Sequence, residues 1–215
     1  MEAIAFDAVS DDGWGAGSRT EFDFNHTPVG APTLIVVTIH SGTALGAIIN
    51  ATYGGAAMTH KGVANGPTGF VNMWTLLSPD AGVKEVDIDF TNDIRCGCIC
   101  RSYVGEIGKL GTFVGDGDTE PDGGGAVHLT VSGVMGGLIV DGITVMDDLV
   151  ITEDPTATYR FHNHFGATGQ NTGGVSDMPS ASILVDDWSG IVAGSNWGLC
   201  ALSVNPPPRG IRWFF

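Results

Sequence analysis

Three of the four cysteines fall within five residues, in "CGCIC" (96–100). Thiols this close together are the residue types of a zinc site, a disulfide or a redox centre, and the spacing decides among them. In "IRCGCICRSYV" (94–104) an alternation of two puts Ile94, Cys96, Cys98, Cys100 and Val104 on one face. Arg95, Gly97, Ile99, Arg101 and Tyr103 fall on the other. Same-face neighbours on a strand stand about 6.6 Å apart, and i to i+4 about 13 Å. Three thiolates at that pitch cannot close on one tetrahedral zinc with bonds of about 2.3 Å. Cys96 and Cys98 also sit at the extreme of disulfide geometry. Arg95 and Arg101 mark the solvent face, so the cysteines are expected to point inward as small, reduced core residues. A disulfide to Cys200 stays open as the minor alternative.

Two further clusters have ligand-type side chains. "DGDTEPD" (116–122) spaces Asp116, Asp118, Glu120 and Asp122 like the start of an EF-hand loop. Pro121 stands where that loop requires glycine, and Val127 where it requires glutamate. An acidic, solvated loop is expected, with a calcium loop of another kind left open. His162 and His164 lie two apart beside Arg160 on the polar face of "ATYRFHNHF" (157–165), with no third ligand at metal-site spacing. The chain has no G-x-S-x-G elbow, no P-loop and no C-x-x-C. No metal, cofactor or catalytic residue is expected.

The elements that carry these residues read as strands. "RTEFDFNHT" (19–27) sets Phe22, Phe24 and His26 against Glu21, Asp23 and Asn25. "VKEVDIDF" (83–90) sets Val86, Ile88 and Phe90 against Glu85, Asp87 and Asp89. A period of two is the mark of a half-buried strand. "TLIVVTIH" (33–40) and "GGLIVDGITV" (136–145) are apolar nearly throughout, as central strands covered on both faces would be. The 33 glycines and 10 prolines break the chain into short pieces with turn signals between them. The expectation is an all-β, antiparallel β-sandwich of jelly-roll, lectin-like type, over residues 1–206 as one domain. The glycine-rich 115–125 segment is expected to be a loop, and no clean internal repeat is visible.

The net charge of −15 disfavours nucleic-acid partners, because a polyanion would be repelled. No apolar run approaches the roughly 20 residues of a membrane helix. The N-terminal "MEAIAFDAVSDD" lacks the basic and apolar regions of a signal peptide, so synthesis in the cytosol with reduced thiols is expected.

Residues 51–90, "ATYGGAAMTHKGVANGPTGFVNMWTLLSPDAGVKEVDIDF", resemble a β-sandwich module that recurs in bacteriophage and bacterial surface proteins. Its landmarks are a strand ending Tyr-Gly-Gly, a Met-Thr strand, a Trp before L-x-x-P-x-x-G, and a V-x-V-x-F-like strand. "GGLIVDGI" (136–143) and "SNWGLCALSVNP" (195–206) match its remaining landmarks. The resemblance implies a non-enzymatic virion protein on the outer surface of the capsid. Its first form is a decoration (cement) protein binding the major capsid protein or other virion subunits as a homo-oligomer. The alternative it implies is a carbohydrate-binding tail-fibre or adhesin domain, which an exposed Trp14, Trp188 or Trp197 lining a groove would support. "EVDIDF" (85–90) is also similar to the E-x-D-x-E strand of laminarinase-type β-glucanases. That similarity would make Glu85 nucleophile and Asp89 acid/base, which must stand about 5–5.5 Å apart in a retaining enzyme. An acidic outer strand face is the plainer reading.

Residues 207–215 depart from the module. "NPPP" stops the last strand, because proline has no N–H for pairing. "RGIRWFF" follows, with Arg209, Ile211, Arg212, Trp213, Phe214 and Phe215. Without Arg209 and Arg212 the chain keeps 7 basic against 24 acidic groups, a net charge of −17. Trp and Arg are the residue types that anchor interfaces. The six residues are therefore the expected partner-binding tail.

Overall fold

The computed structural model describes residues 2–12, 18–42, 48–119, 125–147, 150–153, 157–165, 171–180 and 184–208. Among them the period-two runs are strands, no helix occurs, and the pairing is antiparallel. The all-β sandwich class read from the sequence is the class the chain adopts.

In the first half, β1 (Ala5–Asp11), β9 (Cys96–Val104), β3 (Leu34–Ser41), β7 (Phe70–Leu77) and β6 (Thr59–Asn65) form an inner sheet in that order. Facing it is an outer sheet of β2 (Arg19–His26), β8 (Lys84–Ile94), β4 (Ile48–Tyr53) and β5 (Ala56–Ala57). The Tyr-Gly-Gly landmark is the hairpin from β4 to β5. Gly54 and Gly55 hold φ of 57° and 79° between the paired Tyr53 and Ala56, which only glycine does cheaply twice in succession.

The second half repeats the strand order. Its inner sheet is β10 (Lys109–Thr119), β17 (Asn196–Asn205), β12 (Leu138–Val145), β15 (Asn171–Pro179) and β14 (Thr158–Phe165). Its outer sheet is β11 (Gly125–Val131), β16 (Leu184–Ile191) and β13 (Thr152–Glu153). The register repeats as well. Leu34 faces Tyr103 as Leu138 faces Val204, and Ile39 faces Cys98 as Ile143 faces Leu199. At matched positions the chain reads "LIVV" (34–37) and "LIVD" (138–141), then "GCICRS" (97–102) and "GLCALS" (198–203).

The halves stack inner sheet on inner sheet. One outer core lies within the first half around Phe22, Val37, Ile88 and the three clustered cysteines. A second lies within the other half around Val127, Ile143, Trp188 and Leu199. A central core joins the inner sheets through Val36, Met73, Tyr103, Val140, Cys200 and Leu202. The stacked pairs include β6 on β10 and β3 on β12, and Phe6 of β1 meets Arg160 of β14. By the repeat, the β1–β14 contact is the image of the β6–β10 contact. His40 near the end of β3 bonds Ile143 and Thr144 near the end of β12, so these strands run the same way. The halves are thus related by an approximate twofold axis along the strands. The loops preceding β3 and β12 share one end of the molecule.

Four expectations need correction, the first being the lack of an internal repeat, which the matched strand order and register overturn. Arg101 does not face solvent: it is fully buried, because the second inner sheet covers that face of β9. Its guanidinium donates to the carbonyls of Ser176 (2.8 Å) and Asp141 (2.6 Å). Residues 115–119 are not loop but the end of β10. Gly117 faces β6, where a Cβ would stand 2.3 Å from the Gly66 backbone nitrogen. The glycines there permit close approach of two backbones and mark no turn. Arg160, placed with the polar face of β14, is turned toward the first half. It forms two 2.7 Å bonds to the Asp177 carboxylate and lies over the Phe6 ring.

Candidate functional site

The cysteines point into the first outer core, as expected, and all four are thiols without disulfides. Cys200 faces the central core, on the other side of the first inner sheet, which removes the disulfide alternative. Burial pushes the Cys98 and Cys100 thiols well up, so thiolate is withheld from metal and oxidant alike.

Two surfaces collect side chains that could meet a partner. The first is the outer face of β2, β8 and β4. Val86, Ile88 and Phe90 point into the core, so Glu85, Asp87 and Asp89 point out. The register sets Glu21 beside Asp89 and Asp23 beside Asp87, with Asn50 and Thr52 on the far side. Carboxylate oxygens of Glu21, Asp87 and Asp89 come within 4.8 Å of one another, a set of hard ligands of the kind divalent cations take. Partial desolvation and the charges of Asp89, Glu21, Glu85 and Asp23 raise the Asp87 pKa. The face is dominated by repulsion. The group that comes together is Glu21 with Asp87 and Asp89, whereas Glu85 and Asp89 stand i, i+4 along β8, a Cα separation of about 13 Å.

The second surface is one end of the molecule. Val29 in the β2–β3 loop is 87% exposed and Met135 in the β11–β12 loop 89%. Leu77, Val83 and Val134 are exposed at the same end. Val29 is fixed there by the Asp7 carboxylate, which accepts from the backbone N–H groups of Val29 and Gly30. Beside Met135 a groove of about 620 Å³ is lined by Lys109, Val134, Met135 and Pro206–Pro208. Sequence reasoning missed this groove. A Val-Met pair inside the turn "SGVMGG" (132–137) is the signal that could have found it, because turns rarely spend two large apolar residues.

The remaining sequence candidates divide cleanly. Trp188 and Trp197 are buried, and Trp188 donates its indole N–H to Asp141, so neither lines a groove. Asp116 and Asp118 are exposed on β10 and each accepts from the next residue's N–H. Residues 120–124, Trp14 and the tail residues Arg209, Ile211, Arg212, Trp213, Phe214 and Phe215 lie outside the described residues, as do the side chains of His162 and His164.

No family model, no curated protein and no solved structure matches this chain. The resemblance to virion-surface modules therefore rests on the residues quoted for it.

Proposed function

We propose that this protein is a non-enzymatic structural subunit that works by docking, and that its setting is the outer surface of a bacteriophage capsid. The observation that carries the docking reading is the concentration of exposed apolar side chains at one end. Val29, Leu77, Val83, Val134 and Met135 share the end at which the chain passes through Pro206–Pro208 toward its Arg-aromatic tail. Exposed apolar side chains gathered at one place mark an association surface more than scattered ones do. The acidic face of β2 and β8 then turns toward solvent, where like charge keeps decorated particles apart. The capsid setting comes from the sequence resemblance, and the partner it names is the major capsid protein.

The test is decoration. Deleting residues 207–215 should leave the fold intact and lower occupancy on undecorated particles. A truncated protein that binds with unchanged occupancy would overturn the assignment of docking to this end.

A further inference from the structure

The internal repeat gives the groove beside Met135 a counterpart in the first half, and the two places differ by one carboxylate. The loops before β3 and β12 are anchored alike. The Ser78 N–H donates to the Thr33 carbonyl as the Ser180 N–H donates to the Gly137 carbonyl, both at 2.9 Å. β1 bulges at Asp7, just after the Phe6–Tyr103 pair, and β10 bulges at Gly111 and Thr112, just after the matching Leu110–Val204 pair. In the first half the place is filled. The Asp7 carboxylate accepts from the Ser102 hydroxyl (2.8 Å) and from the N–H groups of Val29 (3.1 Å) and Gly30 (2.8 Å). The loop is thereby drawn down onto β9, so that a Cβ on Gly30 would stand 3.2 Å from the Val104 side chain. In the second half Ser203 stands where Ser102 does, but Gly111 has no carboxylate to offer. The N–H groups of Val134 and Met135 have no partner among the described residues, and the groove opens beneath this loop.

We propose that this groove binds a small free acid, a carboxylate joined to one short apolar group, which supplies from outside what Asp7 supplies within the first half. The proposal goes beyond the docking reading and stands without it. Two polar side chains in the lining point to an anion. Lys109 pairs with Asn205 across β10 and β17, so both side chains lie on the face toward the loop. Lys109 is exposed and forms no ion pair among the described residues. Asn205 is 5% exposed, with its Nδ2 3.4 Å from Ser203 Oγ and its Oδ1 without a partner. Turned over, the same amide accepts from Ser203 and presents its N–H groups to a carboxylate. The charge-assisted bonds from Lys109 and Asn205 are the strong kind. Val134, Met135 and Pro206–Pro208 then cover the apolar group. A few convergent polar groups in an apolar groove of about 620 Å³ is the usual make-up of a small-ligand site.

Amide NMR titration of the 215-residue chain with phenylacetate tests it, with phenylacetamide as the uncharged control. Phenylacetate should saturate with a Kd at or below about 1 mM and shift signals of Lys109, Val134, Met135 and Asn205. The amide should bind at least about tenfold more weakly, and K109M should weaken phenylacetate by a similar factor. Lys109 is exposed, so K109M keeps the fold, which unchanged signals elsewhere will verify. G111D returns a carboxylate to the place of Asp7, with Ser203 Oγ rotating to admit it. It should abolish binding and slow hydrogen exchange at Val134 and Met135; if it fails to fold, K109M decides alone. Equal binding of acid and amide, indifference to K109M, or no saturation because the chain's own tail fills the groove would each overturn the proposal. The blocked peptide acetyl-Leu-Asp-Leu-amide separates a free acid from an acidic side chain on a partner. Binding of the peptide without binding of phenylacetate would overturn the free-acid assignment.

Discussion

At the scale of single residues, burial governs charge in this molecule. His40 and His26 are both buried, and burial lowers their pKa values to about 3 and about 4 from the ordinary 6.5. Both stay neutral in the fold at pH 5, whereas the unfolded chain takes up protons below about 6.5. Stability should therefore fall as pH drops from about 6.5 toward 4, with a slope of up to about 1.4 kcal/mol per pH unit per histidine. Urea midpoints measured across that range check this, and H40Q should flatten the slope. Asp87 works in the opposite sense. Its pKa is raised, so the fold holds its proton more readily than the unfolded chain does, and repulsion eases as pH falls. D87N should stabilise the protein at pH 7 by about 0.5–1 kcal/mol, with the gain shrinking in acid. A loss of stability would instead mean that the carboxylate is holding a cation with Glu21 and Asp89. Arg101 is the third case. A buried guanidinium bonded to two carbonyls leaves both orphaned when truncated, so R101A should cost about 3 kcal/mol or more by urea denaturation.

At the scale of elements, glycine separates what could be read from what could not. The half-buried strands β2 and β8 were legible, because one face meets core and the other water. β3 and β12 were legible as strands covered on both faces. β9 was half legible. Its cysteine face is legible, but Arg101 reads as a sign of water although Ile99 and Tyr103 on the same face argue for cover. The "GDGD" end of β10 read as loop because close approach and turning call for the same residue. The distinction can be tested. G117A should lower the unfolding free energy measured in urea by about 1–3 kcal/mol, since the added methyl meets the Gly66 backbone and no side chain can yield. An unchanged midpoint would mean that β6 and β10 are not packed as described. The groove beside Met135 was illegible for another reason: its walls come from residues 109, 134–135 and 206–208, which only the fold brings together.

At the scale of the whole molecule, one chain carries two copies of a strand order around an approximate twofold axis. The central core between the inner sheets, with Arg101 bonded across it to Ser176 and Asp141 and Arg160 lying over Phe6, couples the halves. Unfolding should accordingly be a single transition, with calorimetric and van't Hoff enthalpies equal. Two separated transitions would show that the halves are independent. The same arrangement brings the loops before β3 and β12 to one end and so gathers the exposed Val29 and Met135 from different halves. Polarity of this kind, an apolar end and an acidic side, is what the proposed docking on a capsid would need to hold one orientation. The measurement that tests this most directly is hydrogen exchange of the protein free and bound to particles. Protection should appear in residues 27–33, 78–83 and 132–137 and from 205 onward, with Glu21–Asn25 and Glu85–Asp89 unchanged. Protection centred on Glu21–Asn25 and Glu85–Asp89, with the loops at the apolar end unchanged, would contradict the account.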